Sequence, residues 1–128
     1  MNNDVEVPTG FLAILRAGLR VRPDIALADS DEDVMLPPVV ADPIGRMTGH
    51  AFLLRGETGL RADPHFVWWA GDDDLQAEAW QRGRTVRVGG IRTNHLEADL
   101  ARRRSPELTA TSMADWDRFA AKWGTTPG

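Results

Sequence analysis

Two spacings of apolar residues run through the chain, and they divide it into helices and strands. Phe11, Leu12, Leu15 and Leu19 stand one, three and four residues apart, which predicts a helix through about Arg20 with an apolar stripe on one side. Thr9 is placed to cap it, Pro23 closes it, and Arg16, Arg20 and Arg22 suit its C-terminal end. Val5 and Val7 alternate ahead of it as a short strand, and Asp24 to Ala28 follows as a buried one. The opening therefore predicts a strand, helix, strand unit of the parallel kind.

The middle of the chain is broken by turn signals. Asp29 to Asp33 is acidic and turn-like, and Pro37, Pro38 and Pro43 mark Met35 to Ile44 as an irregular loop. Thr48 to Arg55 predicts a buried strand that turns at Gly56 to Gly59, and His65 to Trp69 is a short aromatic segment. A helix is predicted from about Asp72 to Arg82, ending at Gly83, then a strand over Thr85 to Val88 and an extended piece over Ile91 to His95. Leu96 and Leu100, with the run Arg102, Arg103, Arg104, predict a surface helix that Ser105 and Pro106 break. A last helix is expected from Ser112, with Trp116, Phe119, Ala120 and Trp123 on its apolar face and Gly124 at its end. The pattern is α/β, in one domain spanning residues 1–128.

Composition narrows the function classes. The apolar fraction of 42% and charged fraction of 27% are those of a globular chain. A net charge of −4 argues against a general nucleic-acid binder, whose affinity comes from neutralising phosphates. With no cysteine, disulfides and thiolate zinc sites are excluded. No apolar run approaches the roughly 20 residues that span a bilayer. These features lead to the expectation of a cytoplasmic protein without a transmembrane segment.

Candidate chemistry centres on Asp72, Asp73 and Asp74, behind the aromatic pair Trp68 and Trp69. Carboxylates at a helix start are stabilised by unpaired amides and the dipole, so Asp72 as cap and the other two as first-turn charges already account for the run. Clustered carboxylates also raise one another's pKa and suit general-base or metal work. The two tryptophans offer flat apolar surface at the protein's exterior, or send one ring to the core. His50 and His65 have no partner at metal-binding spacing and stay unassigned.

The opening Asn2-Asn3-Asp4-Val5-Glu6-Val7-Pro8, then Phe11-Leu12 and Pro23-Asp24-Ile25-Ala26-Leu27, resembles family 2 glycosyltransferases of the GT-A fold, from their Asp-x-Asp-like metal motif onward. Gly49 with Phe52-Leu53-Leu54-Arg55, Phe66, the acids before Leu75, Gly83, Val86, Val88 and His95 continue the likeness. Asp117-Arg118-Phe119 with Lys122-Trp123-Gly124 is similar to a frequent ending of that family. Two positions depart from it: Asn2 stands at the first acidic position, and Glu78 where an Arg is common.

The resemblance implies a partial GT-A, Rossmann-like mixed sheet that lacks the N-terminal nucleotide-binding strands. It implies inverting transfer of a sugar from a nucleotide-diphosphate sugar to a glycan or other hydroxyl acceptor. Asn2 and Asp4 would face the diphosphate, Asp4 and His95 would ligate Mn²⁺ or Mg²⁺, and Asp72 or Asp73 would be the base. Trp68, Trp69 and Asp74 would line the acceptor side. Donor binding would need a second polypeptide or a homo-oligomer. The alternative is a non-catalytic glycan-binding or partner-binding remnant in which the Asp run only starts a helix and an open sheet edge pairs with another chain.

Overall fold

The structure, a computed structural model, describes residues 5–30, 39–40, 47–95 and 105–126. Its centre is β2 (Ile25–Ser30), whose six residues are all buried. A strand apolar on both faces must be covered on both, and here each edge is also taken. β5 (Arg84–Val88) lies parallel to β2 on one edge, and β4 (Phe52–Leu54) lies antiparallel on the other. β3 (Val39–Val40) adds antiparallel to the far side of β5, so the mixed sheet runs β3-β5-β2-β4.

Helices cover the two faces. α1 (Phe11–Arg20) lays Phe11, Leu15 and Leu19 on Ile25, Ala28, Val86 and Val88, with Ala51 and Ile91 closing that core. Gly18 brings the helix down onto β5: a Cβ there would stand 2.4 Å from Val88 Cγ2. On the opposite face α2 (Gly71–Arg82) supplies Leu75 and Ala79 to a second core with Ala26, Leu27, Met47 and Leu60. A register shift between Ile25 and Leu27 interrupts the usual alternation, so the neighbours Ala26 and Leu27 both serve the second core while Ile25 and Ala28 serve the first. Gly83 joins α2 to β5 in a passage too tight for a side chain, since a Cβ would lie 2.3 Å from the Asp24 carbonyl oxygen. The result is α/β, a four-stranded mixed sheet between helices.

The opening unit differs from expectation. β1 (Val5–Glu6) does not join β2, whose edges are both occupied; it pairs antiparallel with β6 (Asn94–His95) in a separate two-stranded ribbon. Nor is Thr9 the cap of α1: Gly10 takes that position in a left-handed conformation at φ 82°, after a turn closed by Phe11 N–H on the Pro8 carbonyl at 3.1 Å. Within the proline-rich loop, Val39 and Val40 form β3, and the strand expected over Thr48 to Arg55 is only Phe52–Leu54, followed by a 3-10 turn over Gly56–Thr58. The surface helix expected over Leu96 to Arg104 lies outside the described residues.

The last helix begins earlier than the pattern suggested. α3 (Pro106–Trp123) has Ser105 as its cap, with Ser105 Oγ accepting from Leu108 N–H at 3.2 Å and Pro106 in the first helical turn. Proline breaks a helix interior, but in the first turn its missing N–H has no helical partner to lose. The Ser-Pro pair thus starts α3.

Candidate functional site

Topology brings the candidate acids to the carboxyl ends of the parallel strands. β2 ends in Asp29 and Ser30, both buried. Thr48 ties the following loop to that end: its N–H donates to Asp29 Oδ2 at 2.9 Å, and its hydroxyl contacts Asp29 Oδ1 at 3.1 Å and the Ser30 carbonyl at 2.8 Å. Gly49, next in the chain, then passes directly over the Asp72 carboxylate. A Cβ on Gly49 would stand 2.1 Å from Asp72 Oδ2, and Gly49 holds φ +69°, so this position excludes a side chain twice over. In open α/β sheets, ligands bind in the crevice outside strand carboxyl ends, and Asp72 stands there.

The three consecutive acids have three environments. Asp72 is half-buried and accepts from the Asp73 N–H at 3.0 Å. Asp73 is buried at 8% exposure. Asp74 is buried at 1%, with Trp123 Nε1 donating to Oδ1 at 2.8 Å and Lys122 Nζ on the same oxygen at 2.8 Å. Lys122 also reaches Glu78 Oε1 at 3.0 Å. Burial pulls the Lys122 ammonium towards losing its proton, but the bonds and charges of Asp74 and Glu78 outweigh it and hold it above the ordinary lysine value. Asp74 thus fastens α3 onto α2 through Oδ1, while its Oδ2 is buried without a hydrogen-bond partner.

None of the three is the cap. Ala70 occupies that position at φ 56°, left-handed and with no capping side chain, so all three acids fall in the first turn of α2. Ala70 is the only non-glycine residue with positive φ among the described residues. Its carbonyl accepts from Asp74 N–H at 2.8 Å, which closes the first helical turn around the strained residue.

The three residues before Ala70 are held by one that the sequence pattern hid. Asp115, on α3, is fully buried, and its Oδ2 accepts from the N–H groups of Val67 at 3.1 Å, Trp68 at 2.8 Å and Trp69 at 2.8 Å. Arg118 Nη1 donates to Oδ1 at 2.7 Å, and its guanidinium lies 5.9 Å from the Phe66 ring centroid. Burial alone would push the Asp115 carboxyl up; the three amides and the Arg118 charge prevail and hold it below the usual carboxylate range. Trp68 and Trp69 lie on this anchored bend, and Trp68 is 51% exposed. A signal for Asp115 was available: it stands three residues after Ser112 and four before Phe119, both buried, so it shares their helix face.

The remaining candidates fall elsewhere. Asn2 and Asp4 lie outside the described residues, and so does the side chain of His95. In the backbone, Val5 pairs with His95, so the strand that follows Asp4 in sequence runs beside the late histidine. Among the described residues no group of three or more His, Asp or Glu side chains is arranged to hold a metal ion. His65 is exposed and bonded to Asp63, with Nδ1 2.8 Å from Oδ1. No helix among the described residues is long and apolar enough to cross a membrane. The chain matches no known protein-family profile, no characterised protein and no solved structure.

Proposed function

We propose that the chain is the acceptor-side part of a GT-A-like inverting glycosyltransferase of family 2 type, moving a sugar from a nucleotide-diphosphate donor to a hydroxyl acceptor. One observation carries the reading: of three adjacent carboxylates, only Asp72 is both partly open to solvent and set at the carboxyl ends of the parallel strands, beneath the bare backbone of Gly49. Asp73 and Asp74 are buried. This difference in exposure favours Asp72 over Asp73 as the base.

In this mechanism an acceptor sugar stacks on Trp68, and Asp72 takes the proton from its hydroxyl as the oxygen attacks the anomeric carbon. Direct displacement from the face opposite the diphosphate inverts that carbon. Asp4 and His95 would hold a divalent cation, Mn²⁺ or Mg²⁺, which supplies charge neutralisation for the diphosphate. Asn2 would assist at the diphosphate, and a partner chain or second copy would supply the rest of the nucleotide site.

Supplying that partner, a common nucleotide-sugar panel and Mn²⁺ should give transfer that Asp72→Asn lowers by about 10²- to 10⁴-fold. Asp73→Asn should retain turnover per folded molecule. Equal loss in both variants, or full activity in Asp72→Asn, overturns the assignment. The second reading, a non-catalytic glycan- or partner-binding remnant, draws on Asp74: the bonds of its Oδ1 to Lys122 and Trp123 support a packing role for part of the acidic run. Sugar binding without transfer under any donor would favour it.

A further inference from the structure

Asp115 spends a buried carboxylate on three successive backbone amides, and the consequence is outward: with their N–H groups turned in, Val67 and Trp68 carry their side chains into solvent at 72% and 51% exposure. Successive amides converging on an anion form a nest, a feature that commonly holds a ligand's negative charge. Here the anion belongs to the chain itself. An apolar side chain from α3 would fasten the helix at no cost in buried charge. It would not orient three consecutive peptides. The bend they form leads through left-handed Ala70 straight into Asp72, so the Trp68 ring and the Asp72 carboxylate ride on one anchored stretch.

We propose that Asp115 is a positioning residue for the acceptor: acting through the amide nest, it fixes the Trp68 indole as a stacking platform at a set distance from Asp72. This rests on the reading of that face as a carbohydrate acceptor site. The ligand class is a neutral oligosaccharide, whose sugar ring presents C–H groups to the indole and a hydroxyl to the carboxylate. Held in advance, the platform avoids the ordering cost that a free loop would add on binding.

The test uses the whole chain and three trisaccharides, cellotriose, chitotriose and maltotriose, followed by calorimetry and by amide exchange. Wild type should bind at least one of them, and Trp68→Ala and Asp115→Asn should each weaken that sugar about tenfold. Because Asp115 acts through Trp68, the double variant should be no weaker than either single one. Two independent losses that multiply would reduce Asp115 to general stability and overturn the proposal. In wild type, which needs no variant to fold, saturating sugar should slow exchange of the Val67, Trp68 and Trp69 amides; unchanged exchange overturns it as well. Sugar binding that Trp68→Ala weakens but Asp115→Asn leaves intact removes the Asp115 role and keeps the acceptor site. Wild type that binds none of the three and transfers to none removes the acceptor reading, and the inference falls with it.

Discussion

Gly49 shows how much a missing side chain can decide. Its φ of +69° already disfavours any other residue, and the Asp72 carboxylate fills the space where a Cβ would go. Two separable costs follow for Gly49→Ala: backbone strain of about 1 kcal/mol and a steric clash of about 1–3 kcal/mol. Urea unfolding of Gly49→Ala, Asp72→Gly and the double variant should show that truncating Asp72 recovers the steric part only. Strictly additive losses would mean that the two residues do not touch. Asp74 makes the complementary point, since its neighbour in sequence by two positions is the proposed base while it is itself a packing residue. Charge at a helix start was legible from the acids alone. Their different environments were not, because these depend on Gly49, Lys122 and Trp123, which are far away in sequence.

At the scale of elements, spacing located α1, α2 and the two central strands, because each places apolar residues at its own period against a core. What it missed were ends and partners. Ser105-Pro106 has the same letters whether it stops one helix or starts another, and the hydrogen bond from Leu108 to Ser105 is what shows that it starts α3. β1 was expected beside β2 because the two flank a helix, but pairing is non-local, and β4 and β5 already satisfy both edges of β2. The seat of α1 on β5 gives a prediction. Alanine is worth about 1 kcal/mol over glycine within a helix. At Gly18, however, the Cβ would meet Val88 Cγ2 at 2.4 Å. Gly18→Ala should therefore destabilise by about 1–3 kcal/mol despite its propensity. In a Val88→Ala background the same change should become neutral or stabilising in thermal melts. A gain in the native background would show that the helix can lift off the sheet without cost.

Across the whole molecule, carboxylates held in ionised form set the acid limit. Asp63 is brought down to about 2, chiefly by the backbone and side chain of His65 and with help from Lys122, and Asp115 is lowered within its nest against the pull of burial. A carboxyl whose folded value is depressed adds stability that is complete above its unfolded value and fades as pH falls towards the folded one. Stability should therefore drop from about pH 4 downward, and Asp115→Asn should flatten that decline while lowering the plateau at neutral pH. Lys122 has the opposite sign: raised in the fold, its contribution is complete below the ordinary lysine value and is lost as pH climbs beyond it. Urea titrations at stepped pH would check both limbs; an unchanged acid slope in Asp115→Asn would show that this carboxyl titrates alike folded and unfolded. The α/β class was legible at this scale from alternating elements. The pinning of α3 to the aromatic bend was not, because an acid on a helix reads by default as wet.

The sheet order also bears on how the protein is made. β2 is hydrophobic on both faces and has β5 as its parallel neighbour, yet β4 and all of α2 lie between them in the chain. On the ribosome this segment emerges well before its mate and has to wait, exposed, for the polypeptide that will shelter it. Long-range parallel pairing of this kind is slow and prone to off-pathway association. A cooler culture, in which hydrophobic association is weaker, should thus raise the soluble yield, and a holdase that shields extended apolar segments should engage the nascent chain before α2 has been synthesised.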